Sequence, residues 1–329
     1  MCRRIPQSFH SSWRCLALLL TSVAASAAEP IAETGSTDSL QEIIIVAPEP
    51  RYVAPTQRDR IGRVWVPVML NGKGPFRLVL DSGATHSAVT AQVAAALGLS
   101  LTEHPPVLMR GVTGSAVTPS IRVASIEVGD LLVGSSVLPI VEDAFGGAEG
   151  LLGTEGMSDK RIYIDFRNDF INISKSDNRG PAAGFSAIPL RRDAGRLLVV
   201  RARVDGVRTR AIIDTGAQAS IGNLALKEAL SKQWRRRKET ADLIIGATGA
   251  TQPGQGMPIS PIKMGDIKIR AAHVTFGEMA IFEHWNLKDE PTILIGMDIL
   301  GLVEALVIDY KRKELHFRLR ASGSPGRSR

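Results

Sequence analysis

The residues able to do chemistry come as a repeated set. Arg77-Leu78-Val79-Leu80-Asp81-Ser82-Gly83-Ala84 returns 133 positions later as Arg210-Ala211-Ile212-Ile213-Asp214-Thr215-Gly216-Ala217. In each copy three apolar residues lead into the aspartate, the pattern of a buried strand that delivers a carboxylate at its end. The glycine two positions on allows a sharp turn where a Cβ would clash. Between them Ser82 or Thr215 supplies a hydroxyl for a hydrogen bond made locally or across to a partner loop. An ionised carboxylate buried alone is costly. Two of them, in halves facing each other across an approximate two-fold axis, would reach one point and share a proton. Carboxyl groups about 3 Å apart cannot both ionise comfortably, so the pair titrates as a unit and offers a base and an acid at one pH. Held around a water, the base would deprotonate it for attack on a carbonyl carbon while the acid polarises the carbonyl oxygen. Such a reaction calls for no covalent intermediate, metal or cofactor.

The elements that must position these groups repeat as well. Val64–Leu70, the turn Asn71-Gly72 and Phe76–Leu80 read as a hairpin, and Leu197–Val204, Asp205-Gly206 and Thr209–Ile213 are their counterparts. Thr90 is placed to cap a short helix over Ala91–Leu97 that Gly98 closes, and Asn223 to cap Leu224–Lys232 at the same offset. Gly111-Val112-Thr113-Gly114 matches Gly246-Ala247-Thr248-Gly249, and Gly150-Leu151-Leu152-Gly153 matches Ile293-Leu294-Ile295-Gly296. Ile162-Tyr163-Ile164-Asp165-Phe166 then matches Leu306-Val307-Ile308-Asp309-Tyr310. Short Val/Ile/Leu runs broken by Gly-Asp turns fill the intervals, and helices are few. The expectation is an all-β protein with two related lobes at 63–175 and 188–320, joined by a linker at 176–187.

Asp81-Ser82-Gly83-Ala84 and Asp214-Thr215-Gly216-Ala217 resemble the Asp-Ser/Thr-Gly-Ala signature of aspartic peptidases, closest to the retroviral-type (retropepsin) group and its bacterial relatives. Leu151-Leu152-Gly153 and Leu294-Ile295-Gly296 resemble the family's hydrophobic-hydrophobic-Gly element, which packs behind the active-site loop. The two Gly-x-Thr-Gly segments resemble its flaps, hairpins that close over the substrate. The resemblance covers the chain from residue 63 and implies two retropepsin-like β-barrel lobes with a pseudo-two-fold, Asp81 and Asp214 as the catalytic pair, and an extended peptide or protein as substrate. Ser82, Gly83, Ala84, Thr215, Gly216 and Ala217 would support the catalytic loops, and Gly111, Val112, Thr113, Gly114, Gly246, Ala247, Thr248 and Gly249 would form the substrate-binding flaps. Retropepsins usually pair two identical chains; both halves in tandem imply intramolecular pairing and a monomer. Thr154-Glu155-Gly156-Met157 departs from the usual Gly-x-Asp/Asn-x-Leu continuation, seen here as Gly296-Met297-Asp298-Ile299-Leu300, so the first lobe's terminal helix should be shortened or distorted. The alternative is a catalytically inactive peptide-binding module of the same fold.

Residues 1–28 read as a secretory signal peptide: Arg3, Arg4 and Arg14, an apolar run over Leu16–Ala25, then Ala25-Ser26-Ala27 as a small-x-small cleavage site. The expectation is export to the periplasm or medium, with no stable membrane anchor afterwards. Both cysteines, Cys2 and Cys15, lie in this leader, so no disulfide or cysteine nucleophile is expected beyond it. Residues 29–62 read as a linker or pro-segment with a strand-like run at 42–46. A composition of 44% hydrophobic and 22% charged residues excludes a disordered chain. The three leader arginines lower the formal charge from +7 to +4, too little to imply a nucleic-acid binder unless it is focused on one face. His86, His104, His273 and His284 show no metal-ligand spacing, so no metal is expected. The basic run 235–238 and the tail 321–329 read as a solvated loop and a frayed end.

Overall fold

The computed structural model describes residues 52–55, 62–142, 146–193, 197–231 and 239–320. The leader, the run at 42–46, the basic run 235–238 and the tail lie outside them. The described part of the 29–62 segment does supply a strand, at Tyr52–Pro55.

Strands dominate, and the two halves pair theirs in the same order. The first lobe's eight-stranded sheet runs Ser120–Val123, Ser136–Val141, Ala88–Thr90, Gly150–Leu152, Lys73–Leu80, Trp65–Leu70, Ile126–Val128, Leu131–Val133. The second lobe repeats it as Thr251–Ile259, Ala272–Phe276, Ile221–Gly222, Thr292–Ile295, Val207–Ile213, Leu197–Val204, Ile262–Met264, Ile267–Ile269, with Thr240–Ile245 added at the edge. Both leading hairpins turn at the expected dipeptides. Asn71 and Gly72 have φ of 52° and 70°, Asp205 and Gly206 45° and 88°, and positive φ at both central residues is the geometry whose twist matches the flanking strands.

The helices are α1 (Ala91–Leu97), α2 (Leu224–Ser231), α3 (Ala280–His284) and α4 (Met297–Leu300). Gly98 closes α1 in the left-handed conformation at φ 76°. Thr90 stands at the cap position but its side chain makes no capping bond, and its hydroxyl is buried without a partner among the described residues. Thr90 is also the buried last residue of the strand Ala88–Thr90. Asn223 does cap α2: its Oδ1 accepts the Leu226 N–H at 2.9 Å, while its Nδ2 donates to the carbonyls of Leu287 and Glu290. Where the second lobe has α4, the first has a single 3-10 turn at Met157–Asp159, as the departure at Thr154–Met157 predicts.

A six-stranded sheet joins the lobes, in the order Tyr52–Pro55, Phe170–Lys175, Lys160–Asp165, Ala305–Asp309, Glu314–Arg318, Ser186–Pro189. Its two central strands are the last repeated segments of the sequence. Ile162 pairs with Ile308, Tyr163 with Val307 and Ile164 with Leu306. Since Ile162 and Ile164 are the repeat equivalents of Leu306 and Ile308, the register is self-complementary, and the pseudo-two-fold passes through the Tyr163/Val307 pair. Ile162, Ile164, Leu306 and Ile308 are 0–1% exposed and belong to one apolar cluster that runs through both lobes. At about 1.5–3 kcal/mol per fully buried aliphatic side chain, this shared core holds the halves together. The recurring aspartates of these strands have a local task. Asp165 accepts the Arg167 and Asn168 N–H groups at 2.9 Å, and Asp309 accepts the Arg312 N–H at 2.9 Å and the Ser176 hydroxyl.

Candidate active site

Each catalytic-signature loop begins where a buried strand ends beside a parallel one. Leu78–Leu80 pair in parallel with Gly150–Leu152, and the Asp81 N–H then donates to the Leu152 carbonyl at 2.9 Å. Arg210–Ile213 pair in parallel with Thr292–Ile295, and the Asp214 N–H donates to the Ile295 carbonyl at 3.0 Å. Leu78, Val79, Leu80, Ile212 and Ile213 are at most 2% exposed, so the strands cannot slide without exposing their apolar faces.

In the turns that follow, Asp81 Oδ1 accepts the Gly83 and Ala84 N–H groups, both at 2.9 Å. Asp214 Oδ1 accepts those of Gly216 and Ala217 at 2.9 and 3.0 Å. The Oδ1 atom of each aspartate is thus fixed by backbone, and the carboxyls face one another across the axis, each lying against the glycine two positions after the other. The glycines are forced by this approach. A Cβ on Gly83 would lie 2.6 Å from Asp214 Oδ2, and one on Gly216 2.7 Å from Asp81 Oδ1.

Ser82 and Thr215 reach across. The Ser82 N–H donates to Thr215 Oγ1 at 3.0 Å and the Thr215 N–H to Ser82 Oγ at 3.1 Å. Each hydroxyl donates in turn to the opposite strand, Ser82 to the Ile213 carbonyl at 2.8 Å and Thr215 to the Leu80 carbonyl at 2.7 Å. Both residues are buried, so these four bonds lock one loop to the other in a low-dielectric setting. Of the two arrangements the sequence left open, the structure takes the one across the lobes.

Burial is the first cause that pushes the Asp81 carboxyl well above the usual carboxylate range, followed by the charge of Asp214; the Gly83 and Ala84 N–H groups pull the other way. Burial also raises Asp214, opposed by the N–H groups of Ala217 and Gly216 and by its hydrogen bond with Asp81. The pair therefore keeps one proton into a pH range where ordinary carboxylates have lost theirs, and it titrates as one unit.

Two supporting acids escaped the sequence reading. Ser87 donates its N–H to Glu155 Oε1 and receives the Gly153 N–H on its Oγ at 3.0 Å. Ser220 donates its N–H to Asp298 Oδ2 at 3.1 Å and its hydroxyl to Oδ1 at 2.7 Å, and receives the Gly296 N–H at 3.0 Å. These clamps tie the segment after each aspartate to the hydrophobic-Gly element behind it. The signal was present: Ser87 and Ser220 share the 133 offset, and each acid follows its glycine by two positions.

Both flap segments are tips of hairpins. Val107–Gly111 pairs with Gly114–Thr118 around Val112-Thr113, and Thr240–Ile245 pairs with Thr251–Ile259 around 246–250. The tips meet: Thr113 packs on Gly246 and Thr248 on Gly111. Each tip then reaches into the opposite lobe. Val112 packs with Ile221, Met279, Ile281, Phe282 and Leu294, and its carbonyl accepts the Ile281 N–H at 3.4 Å. Ala247 packs with Trp65, Val79, Ala88 and Leu151. Ala84 and Ala217, next to the carboxyl loops, border these same two apolar clusters, so carboxyls, pockets and flaps form one site. His86 is exposed and hydrogen-bonded to Thr85, away from a ligand role, and among the described residues no three His, Cys, Asp or Glu side chains are grouped to hold a metal.

No curated protein sequence matches the chain. Among solved structures it is similar to basic 7S globulin from soybean, at 12% identity and a TM-score of 0.46, over 83% of this chain and 96% of that one. A family model described as aspartyl protease matches residues 66–155 and again 200–299, together more than half of the chain, and the protein belongs to this retropepsin-like aspartyl protease family with the family's unit present twice.

Proposed function

We propose that this chain is an aspartic endopeptidase that acts as a monomer, with Asp81 and Asp214 as its catalytic pair. The observation that carries the reading is the facing pair of carboxyls, Asp214 buried and Asp81 partly buried, whose Oδ1 atoms are each pinned by two backbone N–H groups. A neutral Asp81 and an ionised Asp214 supply the acid and the base at one pH. Asp214 takes a proton from a water, the oxygen bonds to the scissile carbonyl carbon, and Asp81 gives its proton to the carbonyl oxygen. Asp214 then gives its proton to the amide nitrogen while Asp81 takes one back from a hydroxyl of the tetrahedral intermediate, so the C–N bond breaks, an amine and a carboxylic acid leave, and the pair is restored. The four bonds between Ser82 and Thr215 hold both carboxyls in register for these transfers.

The substrate is an extended polypeptide between loops and flaps, bound through its backbone as an added strand. The apolar clusters beside Ala84 and Ala217 favour apolar side chains on both sides of the scissile bond. In the closed arrangement Val112 and Ala247 lean on those clusters, so flap opening precedes entry. The leader-like residues 1–28 support export as the setting.

The test is hydrolysis of denatured protein or a fluorogenic peptide library between about pH 3 and 7. Asp81→Asn and Asp214→Asn, checked for folding, should each abolish turnover, and a statine-type transition-state mimic should inhibit the parent protein. Saturable peptide binding without turnover across that range supports the inactive peptide-binding reading instead.

A further inference from the structure

The internal repeat supplies its own control for a feature that the peptidase chemistry does not use. On the outer face of the second lobe's leading strands, Arg201 pairs with Arg210, Arg203 with Arg208 and with Lys263, and Lys263 with Lys268. Four like-charge pairs stand directly opposite one another across strands about 4.8 Å apart, an arrangement that opposes folding. At the equivalent register of the first lobe stand Pro67, Met69, Pro75, Arg77, Glu127 and Leu132: one cation and one carboxylate in place of six cations. The sheet does not need the charges.

Arg210 shares the role of its twin: Arg77 contacts Glu149 at 3.5 Å and Arg210 contacts Glu290 at 2.7 Å. Arg203 donates to the Gly206 carbonyl. Arg201, Arg208, Lys263 and Lys268 are exposed and have no ion-pair partner among the described residues. Five of the cations line an open groove of about 950 Å³ together with Gly265, Pro291 and one carboxylate, Glu290, which Arg210 already pairs.

We propose that this groove is an exosite for a carboxylate-rich polypeptide segment. Four of its five cations are arginines, whose planar forks match carboxylates in bidentate pairs. No aromatic side chain lines it, so it lacks the stacking platforms that single-stranded nucleic acid uses. Its lining carries no large apolar side chain that could insert into a bilayer. The strand bearing Arg208 and Arg210 leads into Asp214, which puts Arg210 about 13 Å and Arg208 about 20 Å from that carboxyl along the chain. An acidic stretch of a substrate would therefore be held a few residues from the bond being cut. The class of partner rests on the peptidase reading; the charge anomaly does not.

The experiment is fluorescence anisotropy of labelled octaglutamate with the full chain, its Arg203→Glu/Lys263→Glu variant, and a Lys311→Glu/Lys313→Glu variant with the same change of net charge on another surface. Thermal unfolding checks each fold, and Arg203→Gln/Lys263→Gln is a milder second variant. The expected result is saturable binding that weakens at least about tenfold between 50 and 200 mM salt and at least about tenfold in the groove variants, with the control variant unchanged. No binding at low salt, or equal loss in the control variant, overturns the exosite. Tighter binding of an octanucleotide or of phosphatidylglycerol vesicles, lost in the same groove variants, overturns the choice of partner. In hydrolysis, Arg203→Gln/Lys263→Gln should raise KM for a substrate extended by four glutamates and leave kcat unchanged; equal KM values overturn the recruiting role. A protein that hydrolyses nothing refutes the peptidase reading, and the anisotropy result still decides the groove.

Discussion

Replacing Thr215 by valine keeps the buried shape and deletes one hydroxyl. That hydroxyl accepts the Ser82 N–H at 3.0 Å and donates to the Leu80 carbonyl at 2.7 Å, and Thr215 is 0% exposed. Water cannot take its place, so two backbone groups of the opposite lobe are left without partners. At about 1–3 kcal/mol for each buried group so orphaned, Thr215→Val should cost about 2–6 kcal/mol. For a folded body of this size that lowers Tm by about 4–20 °C. Thr215→Ser retains the hydroxyl and loses a methyl, so its cost should stay near 1 kcal/mol. Thermal unfolding of the three proteins, with hydrogen exchange at the Asp81 loop, measures the difference. Thr215→Val within about 0.5 kcal/mol of the parent, or equal to Thr215→Ser, would refute the view that this hydroxyl locks the lobes together.

Other outcomes follow from the same contacts. Gly83→Ala would set a Cβ 2.6 Å from Asp214 Oδ2, and should abolish hydrolysis while spectroscopy reports a retained β fold. Asp298→Ala strips the Ser220 N–H and hydroxyl of their acceptor at a position that water can reach, and should cost about 1–3 kcal/mol by denaturant unfolding. Val112→Asp puts a charge into the cluster of Met279, Ile281 and Phe282; faster hydrogen exchange in the first flap and a raised KM are expected. The raised Asp81 and Asp214 carboxyls bind protons more tightly folded than unfolded. Their contribution to stability is fully present below the unfolded value near 3.9 and is lost as pH rises through the folded values. Asp81→Asn should therefore gain stability relative to the parent as pH rises from about 4 to 7, and unfolding curves at several pH values would show the gap closing at the acid end.

The sequence carried a large part of this site because the duplicated gene doubled each signal. A single Asp-Ser-Gly-Ala is a common string; its return at offset 133, followed by flap and hydrophobic-Gly segments, made Asp81 and Asp214 the expected pair. The turns were legible from Asn71-Gly72 and Asp205-Gly206, whose positive φ few other residues tolerate. Long-range consequences were not. The joining sheet depends on the register between Lys160–Asp165 and Ala305–Asp309, which no local propensity encodes. Thr90 does occupy the helix cap position, yet its side chain makes no capping bond. Crossing of the flap tips arises only when both lobes are folded. The cationic groove was hidden for a related reason, since Arg203, Arg208 and Lys263 meet through strand pairing over sixty positions.

Most direct is a carbon-13 titration of the aspartate carboxyls by NMR. The account predicts that Asp81 and Asp214 titrate together in two separated steps, one of them above the usual carboxylate range, and that Asp214→Asn returns Asp81 to a single step. Two independent single steps, each unmoved when the other residue is replaced, would contradict it.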